Sequence, residues 1–135
     1  MVEEMVKVMR SNLEAEIHFK GIGLLLYHMS KKGIHDATII KRFEQNLFKY
    51  KDLFNHRLAF GAYYGVIRMN LDNFYMLEFL EKEIRRFAGE LTIEEAIELT
   101  EAIAENTVQT KEYLFMIIDE LIKPILLASH KHRIK

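Results

Sequence analysis

The chain has 135 residues, a formal net charge of −1, and a composition that is 50% hydrophobic and 29% charged. That is one domain's worth of sequence with enough apolar material to bury a core; disorder would need fewer apolar residues and a larger net charge. The near-neutral balance gives no overall pull toward nucleic acid or anionic lipid. The absence of cysteine excludes disulfides, thiolate nucleophiles, zinc fingers and iron–sulfur clusters together.

A reducing, cytoplasmic setting is the expectation that follows. The opening MVEEMVKVMRSNLEAE has acids where a signal peptide has a basic and then an unbroken apolar region. GIGLLLYHM is too short to span a bilayer, and YLFMIIDELIKPILLA is interrupted by Asp119, Glu120, Lys123 and Pro124. No membrane association is therefore expected. Abundant Lys, Glu and Ile beside two glutamines lean toward a thermophilic composition.

The first predicted helix covers residues 2–30. Val2, Val6, Met9, Leu13, Ile17 and Leu24 recur at helical steps on one face, and Gly33 offers a left-handed cap. Asp36 is placed to cap a second helix running to about Met69. Its stripe is Ile40, Phe43, Leu47, Tyr50, Phe54, Leu58, Gly61, Gly65 and Met69. Asn70 or Asp72 would open a third, about 72–88, with Leu77, Leu80, Ile84 and Phe87 inward and Glu78–Lys82 and Glu81–Arg85 pairs outside. Thr92 with Glu95 forms a capping box for the fourth, whose inward face is Ile93, Ala96, Ile97, Ile103, Leu114, Ile117 and Leu121.

The expected fold is all-α: a four-helix up-down-up-down bundle over 1–128, followed by a frayed basic tail at 129–135. The lengths do not match. At ~1.5 Å per residue, helices one, two and four span roughly 43–51 Å and helix three about 26 Å. The fourth therefore breaks near residue 106, where Thr100, Thr107 and Thr110 loosen it, or kinks at Pro124, or its end finds another partner. The segment 113–128 is apolar around most of its circumference, which one buried face does not explain.

The stretch FGAYYG at 60–65 leaves one flank of helix two without side chains, so another helix can approach closer than the usual 8–10 Å; Gly21 and Gly23 thin helix one similarly. Gly61, Tyr63, Tyr64 and Gly65, with Leu114, Phe115, Ile118, Ile122 and Leu126, are the expected interface of a homo-oligomer, a dimer being favoured. A small-ligand cavity walled by Phe60, Tyr64, Phe74 and Tyr75 is the other use of these aromatics.

The leading functional expectation is a non-enzymatic bundle acting through self-association and a protein or nucleic-acid partner, without cofactor. The alternative is nucleic-acid binding by Lys41, Arg42, Lys49 and Lys51 on the basic stretch 41–57, where Phe48 and Tyr50 interleave. The second alternative is a metal-binding bundle. No glutamate is followed three residues on by histidine, and no His-Glu-x-x-His occurs, so Glu14 and His18, one turn apart, are the weak metal candidates. Nucleophile elbows, P-loops and dinucleotide fingerprints are absent.

Overall fold

The computed structural model describes residues 2–5 and 19–134. Among these the protein is all-helical, without a strand. Seven α-helices follow from Ile22 onward: α1 (Ile22–Lys32), α2 (Ala37–Asn46), α3 (His56–Arg68), α4 (Phe74–Arg86), α5 (Ile93–Glu105), α6 (Lys111–Ile117) and α7 (Lys123–Ile134).

These replace the four long helices expected, and each break has a side chain behind it. The predicted second helix stops at Asn46 and resumes at His56, where Phe54 is extended (φ −65°, ψ 134°) and the Asn55 side chain accepts from Leu58 N–H, capping α3 afresh. The predicted third helix is capped by Asn73, which accepts from Met76 N–H, and not by Asn70 or Asp72. Asn70 instead takes a left-handed conformation (φ 56°) and accepts from Thr107 N–H. The predicted fourth helix does break at 106. Asn106 is extended, its side-chain oxygen accepts from Val108 and Gln109 N–H, and its amide donates to Ile67 O. Thr110 then caps α6, while Thr100 stays helical and bonds back to Ala96 O.

Three local expectations are met as written. Asp36 caps α2, Gly33 closes α1 with φ 69°, and Thr92 and Glu95 form both halves of their capping box. Pro124 does not end its helix. One π-helical turn, Ile118–Ile122, joins α6 to α7 just before it, and helix continues through Ile134 in place of a frayed tail. The wider turn makes room for a ring that would otherwise clash with the carbonyl of Glu120.

Helix α3 is the centre. All ten residues from Leu58 to Ile67 are buried, so it is apolar around its whole circumference. It packs against α1, α4 and α5, and α5 in turn packs against the π turn and α7. The α1–α3 crossing is the tightest. A Cβ on Gly61 would lie 2.2 Å from the Gly23 carbonyl oxygen, and one on Gly23 would lie 2.7 Å from Leu58 Cα. Gly65 meets Leu26 in the same way, at 3.0 Å. Backbone touches backbone, which no residue but glycine permits.

The inward faces shift accordingly. Leu24 and Ile97, both on predicted core stripes, are 57% and 47% exposed. Ile22, Leu25, Leu26 and Met29 on α1, and Leu99 and Ala102 on α5, take the interior instead. Val6, Met9, Leu13 and Ile17 lie outside the described residues.

Gly61→Ala should cost about 3 kcal/mol or more of unfolding free energy, since its new methyl meets rigid main chain. Gly89→Ala, with nothing within 4 Å of the added Cβ, should change stability by less than about 1 kcal/mol. Urea unfolding of the two variants side by side checks the pair.

Candidate functional site

The last two helices carry more apolar side chains than the core accepts. On α6, Leu114 and Ile117 turn inward while Phe115 is 62% exposed. Leu121 and Ile122, in the π turn, are buried, and Ile118 is half-buried. Beyond Pro124 the balance reverses: Ile125 is partly covered, and Leu126 and Leu127 are 38% and 52% exposed.

Beside this ridge lies a groove of about 560 Å³ between the 3₁₀ turn Ala88–Glu90, the start of α5, and Leu121–Ala128. Leu91, Ile93, Leu121, Pro124 and Ile125 supply half of its lining residues. The helix that presents Leu126 and Leu127 outward thus also forms one side of an apolar hollow.

The nine positions expected at an oligomer interface therefore separate. Phe115 and Leu126 are outward and Ile118 is partly so, whereas Leu114 and Ile122 belong to the core. The FGAYYG positions are a correction. Gly61 and Gly65 are filled by α1 of the same chain, and Tyr63 and Tyr64 are 0% and 1% exposed. Tyr64 packs on Tyr27, ring centroids 4.8 Å apart, and its hydroxyl accepts from Arg68. Tyr63 points across the core to share a 3.0 Å hydroxyl–hydroxyl hydrogen bond with Tyr113. Burial pushes the Tyr63 and Tyr113 hydroxyls well above the ordinary tyrosine value. Close approach was the right reading of the glycines, but the approaching helix is internal.

The basic candidates do not form one continuous helical face. Lys41 and Arg42 sit on α2, Lys49 follows it, and Lys51 lies in the 3₁₀ turn Lys51–Leu53. Phe48 among them is 67% exposed, with the Lys51 ammonium 4.6 Å over its ring. Glu14 and His18 lie outside the described residues. Among those described, no cluster of three or more potential ligands is placed to hold a metal, and no helix is long and apolar enough to cross a membrane. Of the four aromatics expected to wall a cavity, Phe60 lines one cleft and Phe74 another, while Tyr64 is covered and Tyr75 is 56% exposed.

Two charged networks went unseen in the sequence because their partners are far apart along it. Glu98 Oε1 accepts from the Tyr27 hydroxyl and from Lys31 Nζ (2.6 Å), tying α1 to α5. Burial alone would raise the Glu98 carboxyl, but the hydrogen bonds from Lys31 and Tyr27 outweigh it and leave it lowered. Donating to Glu98 raises Lys31 in turn. His56 Nε2 lies 2.6 Å from Glu95 Oε1, the same oxygen that completes the Thr92 capping box. Leu127, exposed but absent from the expected interface, had a signal: it directly follows Leu126 beyond the proline.

Compared with known proteins, the chain matches no family model and no curated protein sequence.

Glu98→Gln should remove a contribution of no more than about 1 kcal/mol, because the Lys31–Glu98 pair is partly solvated. The sign follows from the shifts. The lowered Glu98 stabilises fully above its ordinary 4.5, and that gain fades as pH falls below it. The raised Lys31 stabilises below its ordinary 10.5, and that gain fades as pH rises beyond it. Melting curves of wild type and variant should thus differ most across neutral pH and converge toward both extremes.

Proposed function

We propose that the protein works by associating with itself, as a non-enzymatic helical protein whose α6–α7 face meets the same face of a second copy. The observation that supports this is the pairing of ridge and hollow on one helix. Leu126 and Leu127 project while Pro124 and Ile125 line the adjoining groove. A two-fold interface needs a surface complementary to itself, and a helix carrying both knob and hole meets that need. Phe115, exposed on α6, extends the patch with the kind of residue that anchors interfaces. An apolar ridge beside an apolar hollow, left to water, costs free energy that a second copy recovers.

Single-stranded nucleic-acid binding is the second reading, and Phe48 favours it. An exposed ring followed closely in sequence by Lys49 and Lys51 is the arrangement on which a base stacks while phosphates meet cations. Oligonucleotide affinity should then fall steeply between about 50 and 200 mM salt, and Phe48→Ala should weaken it about tenfold. Affinity that ignores both salt and Phe48 removes this reading.

For self-association the measurement is mass in solution. Wild type should run at twice the 16.0 kDa of one chain, and Leu127→Lys should run at 16.0 kDa with its helical circular dichroism intact. Leu127 is half exposed, so the substitution leaves the core alone. A wild-type protein of single-chain mass at about 100 μM, a concentration at which even a micromolar dimer is mostly assembled, would end the proposal.

A further inference from the structure

A second cavity, of about 430 Å³, opens between α1, the start of α3, and α5. It lies within the roughly 300–1,000 Å³ range of small-molecule sites, and three features shape it. Gly21, just before α1, lines it and contributes no side chain to fill it. Phe60, 6% exposed, and the Tyr27 ring, tilted against it with centroids 5.8 Å apart, give an aromatic floor. Leu24, the one α1 stripe residue that should have been core, stands at the wall 57% exposed. An apolar side chain beside an aromatic floor is a surface awaiting an apolar guest.

The charges around this floor decide the guest's polarity. Glu98 already holds Lys31 and Tyr27, and Glu95 already holds His56 and the Thr92 N–H. Both carboxylates are thus neutralised or engaged within the protein. Lys20 and Arg57 also line the cleft, are exposed, and make no ion pair among the described residues. Among the described residues, the unanswered charge at the mouth is therefore positive. Arg57 presents the planar fork that takes a carboxylate in two parallel hydrogen bonds. A dianionic phosphate would feel Glu95 and Glu98 more strongly than a monoanion does.

We infer that this cleft binds a small organic acid: an apolar ring or chain laid on Phe60 and Leu24, with one carboxylate held by Arg57 and Lys20. The site shares no lining residue with the α7 groove, so it stands whether or not the chain dimerises.

Calorimetric titration of the whole chain with 2-naphthoate and with decanoate tests it, beside 2-naphthamide as the neutral isostere and 2-naphthylmethylammonium as the cation. At least one of the acids should bind at a single site. The naphthoate should bind about tenfold or more tighter than the amide, and the ammonium more weakly still. The double variant Lys20→Gln/Arg57→Gln, altered only at exposed positions, should keep its melting temperature and lose that preference. Leu127→Lys should bind as wild type does, which separates this cleft from the apolar C-terminal groove. Failure of both acids to bind at about 1 mM overturns the inference. So does equal affinity for the amide, or an acid affinity that survives the double substitution.

Discussion

At one point in this protein two helices touch through main chain alone. The carbonyl of Gly23 sits where a side chain on Gly61 would begin, and Leu58 closes over Gly23 from the other side. Ridges-into-grooves packing usually holds helix axes 8–10 Å apart because side chains stand between them. Removing the side chains lets α1 and α3 settle closer, and dispersion between densely packed backbones replaces what bulkier residues would contribute. Position and identity are both specified, since a methyl anywhere along Gly23, Gly61 or Gly65 meets atoms with little freedom to move. The aromatic residues between the glycines then have defined places. Tyr63 reaches across the core to Tyr113, while Phe60 and Tyr64 pack in tilted contact with Tyr27.

From that contact the rest of the arrangement follows. Fixing α1 on one side of α3 leaves its other sides for α4 and α5, and the centre of the domain becomes one fully covered helix. A central helix needs short neighbours that turn back promptly, and asparagine supplies the turns. Asn55 and Asn73 restart helices, Asn70 takes a left-handed turn, and Asn106 ties the end of α5 to the Ile67 carbonyl. Each asparagine satisfies backbone groups that a helix end leaves open. With α3 already enclosed, α6 and α7 arrive last and find only part of their apolar surface wanted.

What the sequence made legible was local chemistry: helical class, the Asp36 and Gly33 ends, the Thr92–Glu95 box, and the break at Asn106. These rest on residues within one turn of each other. The split at Asn55 was not legible because the apolar repeat from Ile40 to Met69 passes through it without a missed step. Both halves keep their own inward faces, so periodicity alone cannot register a capping residue between them. The glycine spacing announced a close crossing but not its partner, since Gly23 and a second copy of the chain are equivalent on paper. Leu24 and Ile97 went astray for a related reason: a stripe marks which residues share a face, and the neighbour's position decides which face is covered. Contacts such as Tyr27–Glu98 and His56–Glu95 need the tertiary fold before they exist at all.

The same close crossing bears on both surfaces that remain open. The cleft lined by Lys20 and Arg57 adjoins that contact, and Leu58 and Gly61 belong to both. Because backbone holds the crossing point, that opening cannot collapse by side-chain repacking. Beside the other groove, the π turn before Pro124 moves the last helix off a regular α path by one residue's rotation. At about 100° per residue the inward stripe from Leu121 continues to Ile125, which leaves Leu126 and Leu127 facing outward. The crossing fixes the backbone beside the hollow, and helical register keeps the ridge outward. Both are set in the backbone, so changes to exposed side chains alter what these surfaces bind without altering the frame that holds them.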